Sequence, residues 1–212
     1  MRDGLIGRIA RRLRGEDAFD PRVVVLDTET SGLDPQRDEL LAIGAVAVDA
    51  TGIRVEDSFE TVVRPSGHVS RDSVVVHGIG GESQRSAAAP RDALAAFAAY
   101  AGDAPIVAFH ASFDRAVLER AFEQAGVTRP SSGWLDAAHL AATLFPEDHK
   151  RGTRALDDWL SRFAIGTLAR HTAAGDAAAT AELFLRLRAL AAREGHRSHA
   201  SLARFAQRHR WL

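Results

Sequence analysis

Three apolar, β-branched runs follow one another in the first third of the chain, and each predicts a strand. The runs cover about 22–28, 40–48 and 53–63, and turn-forming stretches separate them. The first two are almost wholly apolar, which is typical of strands buried on both faces, whereas the third mixes apolar and polar residues. Because consecutive strands usually pair with each other, antiparallel pairing of the three is the simplest topology.

Beyond residue 70 the pattern changes to helical spacing that is interrupted by two short apolar runs. Helices are predicted at about 70–76, 90–101, 112–125, 136–144, 156–163 and 173–193, and strands at 105–109 and 134–135. Residues 147–153 are polar and predict a loop, and apolar positions in the tail 197–212 recur at roughly helical spacing. Three strands followed by alternating helices and short strands predict an α/β domain, in which helices pack against a mixed sheet.

The composition narrows the class of protein. A chain of 212 residues fits one domain with appendages. The chain has no cysteine, which excludes a disulfide framework and a thiolate zinc site and agrees with a reducing cytoplasm. It also lacks an apolar run of the roughly 18 residues that a transmembrane helix needs. We therefore expect a cytoplasmic protein with neither a membrane span nor a secretory signal.

The net charge of −1 conceals basic ends and an acidic body. Residues 1–14 carry five arginines and one aspartate, and residues 186–212 carry seven arginines and one glutamate. This separation is compatible with a carboxylate metal site in the body and phosphate-contacting arms at the ends. Solvated helix faces explain the same pattern equally well, so the charge distribution alone leaves both interpretations open.

Two acids end the first predicted strand, Asp27 and Glu29, with one residue between them. Side chains two positions apart leave a strand on the same face, so these carboxylates repel each other and are costly to desolvate. A divalent cation such as Mg²⁺, which prefers carboxylate oxygens, would remove both costs. Further along, Asp114 follows a short strand, and Asp176 stands in an alanine-rich helix five residues after His171. Taken singly, each of these residues is more simply explained as a solvated surface group.

Taken together, the acids belong to four motifs that occur in a fixed order. The motifs are Asp-Thr-Glu-Thr-Ser-Gly-Leu-Asp-Pro at 27–35, His-Gly-Ile at 77–79, Phe-Asp at 113–114, and His171 with Asp176. They resemble the DEDDh branch of the DnaQ-like 3′→5′ exonucleases, a family that includes the proofreading epsilon subunit of bacterial DNA polymerase III. The resemblance covers roughly residues 22–190 and implies an RNase H-like fold.

The resemblance implies a site for two divalent metal ions, Mg²⁺ or Mn²⁺, held by four acids: Asp27, Glu29, Asp114 and Asp176. By analogy with the family, Asp27 contacts both ions. Glu29 and Asp176 hold the first ion, and Asp114 supports the second. His171 is the expected general base for the attacking water, and the products would be nucleoside 5′-monophosphates.

The resemblance also implies a pocket for the 3′-terminal nucleotide, lined by Thr30, Ser31, Leu33, His77 and Phe113. For Leu33 and Phe113, ordinary packing is an equally good explanation. One departure from the family pattern is visible, because Phe109 and His110 stand where the family usually has His and Asn. All four acids are retained, so we expect activity to survive and the contacts to the terminal sugar or base to differ.

The sequence therefore predicts a metal-dependent exonuclease domain at 21–195, between a basic amphipathic segment at 1–20 and a basic tail at 196–212. The predicted partner is the 3′ end of a nucleic acid, with single-stranded DNA favoured, and a DNA polymerase subunit is a candidate protein partner. Two alternatives stay open. One is a 3′→5′ exoribonuclease that acts on RNA or short oligonucleotides, and the other is a non-catalytic nucleic-acid-binding or scaffold module.

Overall fold

A five-stranded mixed sheet forms the centre of the computed structural model, which describes residues 18–65, 87–167 and 169–207. The strands are β1 (Val23–Thr30), β2 (Leu40–Val48), β3 (Ile53–Val62), β4 (Ile106–Ala108) and β5 (Trp134–Asp136). They lie in the order β3-β2-β1-β4-β5. The first three pair antiparallel, whereas β4 runs parallel to β1 and β5 runs parallel to β4. The predicted sheet, with three antiparallel strands followed by shorter parallel ones, is confirmed.

Seven helices flank this sheet in the described residues. They are α1 (Pro90–Ala101), α2 (Ser112–Ala125), α3 (Ala137–Leu144), α4 (Pro146–Lys150), α5 (Leu156–Arg162), α6 (Ala173–Arg193) and α7 (His199–Ala206). Helices α1, α2 and α6 have the predicted bounds, and the short helix predicted at 70–76 lies outside the described residues. Within the described ranges, no helix combines the length and the apolar character needed to cross a membrane.

The loop predicted at 147–153 is wrong in its first half, because Pro146–Lys150 forms α4. Pro146 occupies the first turn, where its fixed φ suits a helix and its missing N–H removes no intrahelical hydrogen bond. Acidic residues fill the first turn of α4 and basic residues fill its last, an order that interacts favourably with the helix dipole. The polarity of this stretch therefore indicates an exposed short helix.

β1 is buried on both faces, and its alternate residues pack into two separate cores. The odd-numbered valines pack with α3, α5, α6 and α7, which we call the α6-side core. The even-numbered apolar residues pack with α1 and α2, which we call the α2-side core. Because this alternation continues along a strand, Asp27 and Glu29 are directed toward the α6 side and Thr28 toward the α2 side.

Helix α7, which lies in the tail with apolar positions at helical spacing, belongs to the packed body. It lies against α3 and β5, and it buries Leu202, Phe205 and Ala206 in the α6-side core. The ring of His196 stacks on Phe205 with centroids 4.3 Å apart. The apolar positions of the described tail are therefore used for packing.

Candidate metal centre

Three acids meet where the end of β1 faces the start of α6. Asp27 and Glu29 come from β1 and Asp176 from the first turn of α6, and one carboxylate oxygen of each lies within 4.8 Å of the others. We call these three residues the acidic cluster. Glu29 is 5% exposed and Asp176 is 9% exposed, so water contributes little to the solvation of their charges.

The close approach of α6 to the sheet depends on Gly44, which lies opposite Asp27 in the pairing of β1 with β2. A Cβ atom at this position would lie 2.1 Å from the backbone carbon of Ala173 and 2.2 Å from the backbone nitrogen of Ala174. Any larger residue would therefore push the first turn of α6, and Asp176 with it, away from the strand. Sequence analysis missed this role, although a glycine inside an apolar strand is a known signal of close backbone approach.

Asp114, the fourth predicted acid, lies at the start of α2 and outside the three-residue cluster. Its Oδ1 accepts hydrogen bonds from the backbone N–H of Thr28 at 3.0 Å and from the Thr28 hydroxyl at 2.8 Å. Asp114 is buried, with 4% of its surface exposed. Strand β1, which carries Asp27 and Glu29, thus also fixes the position of the Asp114 carboxylate. Sequence analysis missed Thr28, whose only local signal is its position between Asp27 and Glu29.

Burial and like charge raise the pKa values of three of these acids. The pKa of Glu29 rises to about 7, first because of burial and then because of the charge of Asp114. Burial also raises the pKa of Asp114 to about 7, against the opposing effect of its hydrogen bonds from Thr28. The pKa of Asp27 lies well above its usual range through burial, with Asp114 and Glu29 adding to the effect. A divalent cation would offset this repulsion, and carboxylate oxygens are the ligands that hard cations prefer.

A positive side chain already contacts the acidic cluster. The Arg170 guanidinium donates through Nη1 to Oδ1 of Asp176, and through Nε to Oδ1 of Asp157 at 2.7 Å. Its charge lowers the pKa values of Asp27 and Glu29, against the larger effect of burial. Sequence analysis missed Arg170, although it directly precedes His171 in the fourth motif.

His171 lies before the start of α6 and is exposed, and it is outside the acidic cluster. Its φ of 61° falls in the left-handed region, which residues other than glycine rarely adopt. The next residue, Thr172, caps the helix, because its hydroxyl accepts a hydrogen bond from the N–H of Gly175 at 3.1 Å. A Cβ atom at Gly175 would lie 1.6 Å from the carbonyl oxygen of Ala169. Residues 169–175 therefore form a tightly packed turn that contains His171.

The turn after β1 is held by Asp38, a residue that sequence analysis also missed. The hydroxyl of Ser31 donates to Asp38 at 3.1 Å, and a Cβ atom at Gly32 would lie 2.6 Å from a carboxylate oxygen of Asp38. A side chain at Gly32 would therefore displace that carboxylate. The hydroxyl of Thr30 donates to the carbonyl of Gly32 at 2.6 Å. Leu33, by contrast, is 92% exposed.

The remaining predicted residues lie in different environments. Phe113 is half-buried and packs against the α2-side core. Phe109 is buried in the α6-side core, so the ring that departs from the family pattern is a packing residue. His110 has a φ of 60°, and its backbone N–H donates to Oδ1 of Asp136 at 3.2 Å, which ties the end of β4 to β5. His77 lies outside the described residues.

Comparison with known families matches residues 24–184 to the RNase T exonuclease model. A DNA polymerase III PolC-type protein of Thermotoga maritima is 33% identical over 179 residues, which cover 84% of this chain and 13% of that protein. A DNA polymerase III subunit epsilon-like protein of Rhodobacter capsulatus is 37% identical over 186 residues, which cover 86% of this chain and 26% of that protein. The chain thus spans a minor part of the length of these relatives.

Solved exonuclease structures have the same fold as the chain. Exonuclease X, in complex with 5′-overhanging duplex DNA, matches with a TM-score of 0.68 at 21% identity, over 87% of this chain and 98% of the other. E. coli exonuclease I, in complex with a dT13 oligonucleotide, matches with a TM-score of 0.69 at 17% identity, over 82% of this chain and 42% of the other. The predicted RNase H-like arrangement is thereby confirmed.

Proposed function

The chain belongs to the RNase T exonuclease family, and from this membership we propose that it is a metal-dependent 3′→5′ exonuclease that releases nucleoside 5′-monophosphates from DNA. The observation that carries the proposal is the acidic cluster, in which carboxylates from β1 and α6 converge with Asp114 nearby. Buried acids whose pKa values are raised by one another mark functional sites. Hydrolysis of a phosphodiester by two divalent cations needs such a set of oxygen ligands.

In this proposal the four acids hold two cations, Mg²⁺ or Mn²⁺. Asp27 would contact both, Glu29 and Asp176 would help to hold the first, and Asp114 would support the second. When bound, such ions lower the pKa of a coordinated water and neutralise charge on the departing 3′-oxygen. The protein contributes fixed oxygens in a buried setting, where electrostatic interactions are stronger than in water. Thr28 supports this role by keeping Asp114 in one orientation with two hydrogen bonds.

We assign the role of general base to His171. The imidazole would take the proton of the attacking water and pass it to solvent, which its exposed position allows. Its place before the first turn of α6 keeps it five residues from Asp176 in the chain and free of the helical hydrogen-bond pattern. These features support a base that acts beside the cation ligands without being one of them.

The turn after β1 is the proposed contact for the 3′-terminal nucleotide. Leu33 offers an exposed apolar side chain that can pack on a base or sugar. Thr30 and Ser31 form hydrogen bonds within the turn, so their part is to hold Leu33 in position. Phe113 directly precedes Asp114, which supports a contact close to the reacting phosphate. His77 is retained as a fifth contact on the strength of its motif alone.

DNA is the favoured substrate because the relatives described above are DNA polymerase III proteins. We propose that the chain acts on single-stranded or frayed 3′ ends in replication or repair in the cytoplasm, with a DNA polymerase subunit as the candidate partner. We also propose that the exonuclease domain is residues 21–195, with the segments 1–20 and 196–212 as appendages. Selection of DNA over RNA would depend on contacts at the position of the 2′-hydroxyl.

A degradation series tests this proposal. Strands of matched DNA and RNA sequence, labelled at the 5′ end and either single- or double-stranded, are incubated with the full chain in Mn²⁺ or in EDTA. We expect a ladder that shortens from the 3′ end of DNA in Mn²⁺ only, with 5′-monophosphates as products. Faster shortening of RNA would support the same metal-dependent cleavage and identify RNA, not DNA, as the preferred substrate. No metal-dependent shortening of any strand would overturn the enzyme and leave a binding or scaffold module.

A further inference from the structure

The Arg170 guanidinium joins the acidic cluster to a carboxylate outside it. It contacts Asp176 through Nη1 and Asp157 through Nε, so one planar group spans two acids on different helices. The Arg170 side chain is 21% exposed, whereas that of Asp157 is 62% exposed. One end of the bridge therefore lies in the buried site and the other at the surface.

This contact competes directly with a divalent cation. Asp176 belongs to the acidic cluster, and a cation held there would share its carboxylate with the positively charged guanidinium of Arg170. Two positive groups on one carboxylate repel each other, most strongly where water is excluded. Arg170 must therefore leave Asp176 for the cation to bind with its full set of ligands.

The position of Arg170 in the chain places it beside the proposed base. Arg170 directly precedes His171, whose φ of 61° is unusual for a residue with a side chain. The hydroxyl of Thr172 bonds to Ala169 on one side and to Gly175 on the other. Arg170 therefore lies next to the proposed base in a turn that these hydrogen bonds hold.

We propose that Arg170 is a positioning residue that acts as a resident cation: it neutralises Asp176 in the metal-free site, yields it when a divalent cation binds, and remains on Asp157. The inference rests on the proposed function, because it assumes that the cluster binds such ions.

Calorimetric titration of the metal-free full chain with Mn²⁺ tests the exchange. Arg170→Gln removes the competing charge, so we expect Mn²⁺ affinity to rise by on the order of tenfold. Arg186→Gln is the matched control, because Arg186 also lies near α6 acids but pairs with Glu182 on the exposed face of the helix. We expect wild-type affinity for that variant.

The outcomes separate this inference from the proposed function. If the wild type does not bind Mn²⁺, the proposed metal site itself fails. If the wild type binds Mn²⁺ and Arg170→Gln binds it equally or more weakly, the site stands and Arg170 is no competitor. A purely structural role would lower the stability of the Arg170→Gln variant without raising its affinity.

A second measurement uses the wild-type chain and so does not depend on a variant that folds. The side-chain N–H signals of Arg170, assigned by their loss in Arg170→Lys, are followed by nuclear magnetic resonance during titration with Mg²⁺. We expect the Nη signals to shift as the contact with Asp176 is lost, and the Nε–H signal to keep its hydrogen-bonded position on Asp157. Nη signals that do not change at saturating Mg²⁺ would overturn the exchange.

Discussion

Asp114 and Asp176 come from helices that pack in different cores, and the chain holds them by different means. Asp114 accepts two hydrogen bonds from Thr28, an uncharged residue of the strand itself. Asp176 pairs with the charged guanidinium of Arg170, which lies in the turn before α6 and is shared with the exposed Asp157. One acid is thus fixed by a neutral donor on a central strand, and the other by a cation on a turn.

In the proposed metal site, this difference decides how each acid would respond to a divalent cation. A neutral donor orients the carboxylate of Asp114 and leaves its charge available to the cation. A guanidinium already cancels the charge of Asp176 and competes for the same oxygen. In the proposed site, Asp114 would therefore be oriented for the ion in advance, whereas Asp176 would exchange one partner for another.

In the proposed site Asp27 contacts both cations, so its replacement should have the largest effect. In Asp27→Asn we expect DNA cleavage to fall by on the order of 10³-fold or more, because the cations supply several kcal/mol of transition-state stabilisation. The metal-free variant should also unfold at a higher temperature, since a buried charge that Asp114 and Glu29 repel has been removed. Cleavage rates and thermal unfolding in EDTA measure the two effects.

The matched control for Asp27→Asn is Asp103→Asn, which removes the same charge from an exposed position between α1 and β4. This variant should cleave DNA at the wild-type rate and keep the wild-type unfolding temperature. Near wild-type cleavage by Asp27→Asn itself would exclude Asp27 as the shared ligand, and the two sides of β1 would then have to act independently.

His171 belongs only to the α6 side, and its loss should have the next largest effect. We expect His171→Ala to lower the rate of cleavage by about 10²-fold, the lower end of what a general base contributes. Mn²⁺ affinity should stay unchanged, because the imidazole lies outside the acidic cluster. Single-turnover rates and Mn²⁺ titrations separate the two, with His149→Ala in α4 as the control. A large loss of Mn²⁺ affinity would instead make His171 a ligand.

Local sequence rules explain why so much of the architecture could be predicted. The apolar, β-branched runs of β1 and β2 favour buried strands. Helix α2 ends where Gly126 adopts the left-handed conformation that stops a helix. The direction of Asp27 and Glu29 follows from strand alternation alone. Grouping them with Asp114 and Asp176 required the order of the motifs, because no local period connects residues so far apart.

The residues that sequence analysis missed act across long separations. Thr28 bonds to Asp114, 86 positions away, and Gly44 matters only because the backbone of Ala173 crosses it. Nothing local in the sequence distinguishes Arg170 from the other arginines, and its role depends on α5 placing Asp157 beside it. Such roles depend on which segments meet in the fold, and hydrophobic periodicity carries no information about that.

The raised pKa values predict how the metal-free protein responds to pH. Glu29 and Asp114 have a pKa of about 7 in the folded protein, against ordinary values of 4.5 and 3.8. The folded state therefore holds these protons more tightly than the unfolded chain does. This contribution to stability is complete below about pH 4 and is lost as the pH rises through about 7.

Thermal unfolding in EDTA should accordingly show a lower midpoint at about pH 8 than at about pH 5, by about 2–4 °C for each kcal/mol lost in a domain of this size. Saturating Mn²⁺ should restore the midpoint at the higher pH, because the cation replaces the lost protons. Asp27→Asn should flatten the profile, since it removes a buried carboxyl whose own pKa lies well above its usual range. A midpoint in EDTA that does not change with pH would mean that the acids are not forced together in solution.

The smallest expected effect tests the contrast between the two sides most directly. Thr28→Val keeps the shape and the backbone donor but removes the hydroxyl bond to Asp114 at 2.8 Å. At about pH 8 we expect a loss of about 1–3 kcal/mol in the free energy of unfolding, since a buried charged acceptor loses a donor. Mn²⁺ affinity should fall several-fold, because that donor favours the charged form of the carboxylate.

Arg170→Gln should raise Mn²⁺ affinity, because it removes a charge that competes with the cation. Thr28→Val should lower it, because it removes a hydrogen bond that stabilises a charged ligand. Thr143→Val is the matched control: its buried hydroxyl donates to the carbonyl of Ala206 at 3.3 Å, between α3 and α7. That variant should lose stability and keep its Mn²⁺ affinity. A shift of Mn²⁺ affinity in the same direction for Thr28→Val and Arg170→Gln would contradict the contrast. The neutral partner of Asp114 and the charged partner of Asp176 would then have the same effect on cation binding.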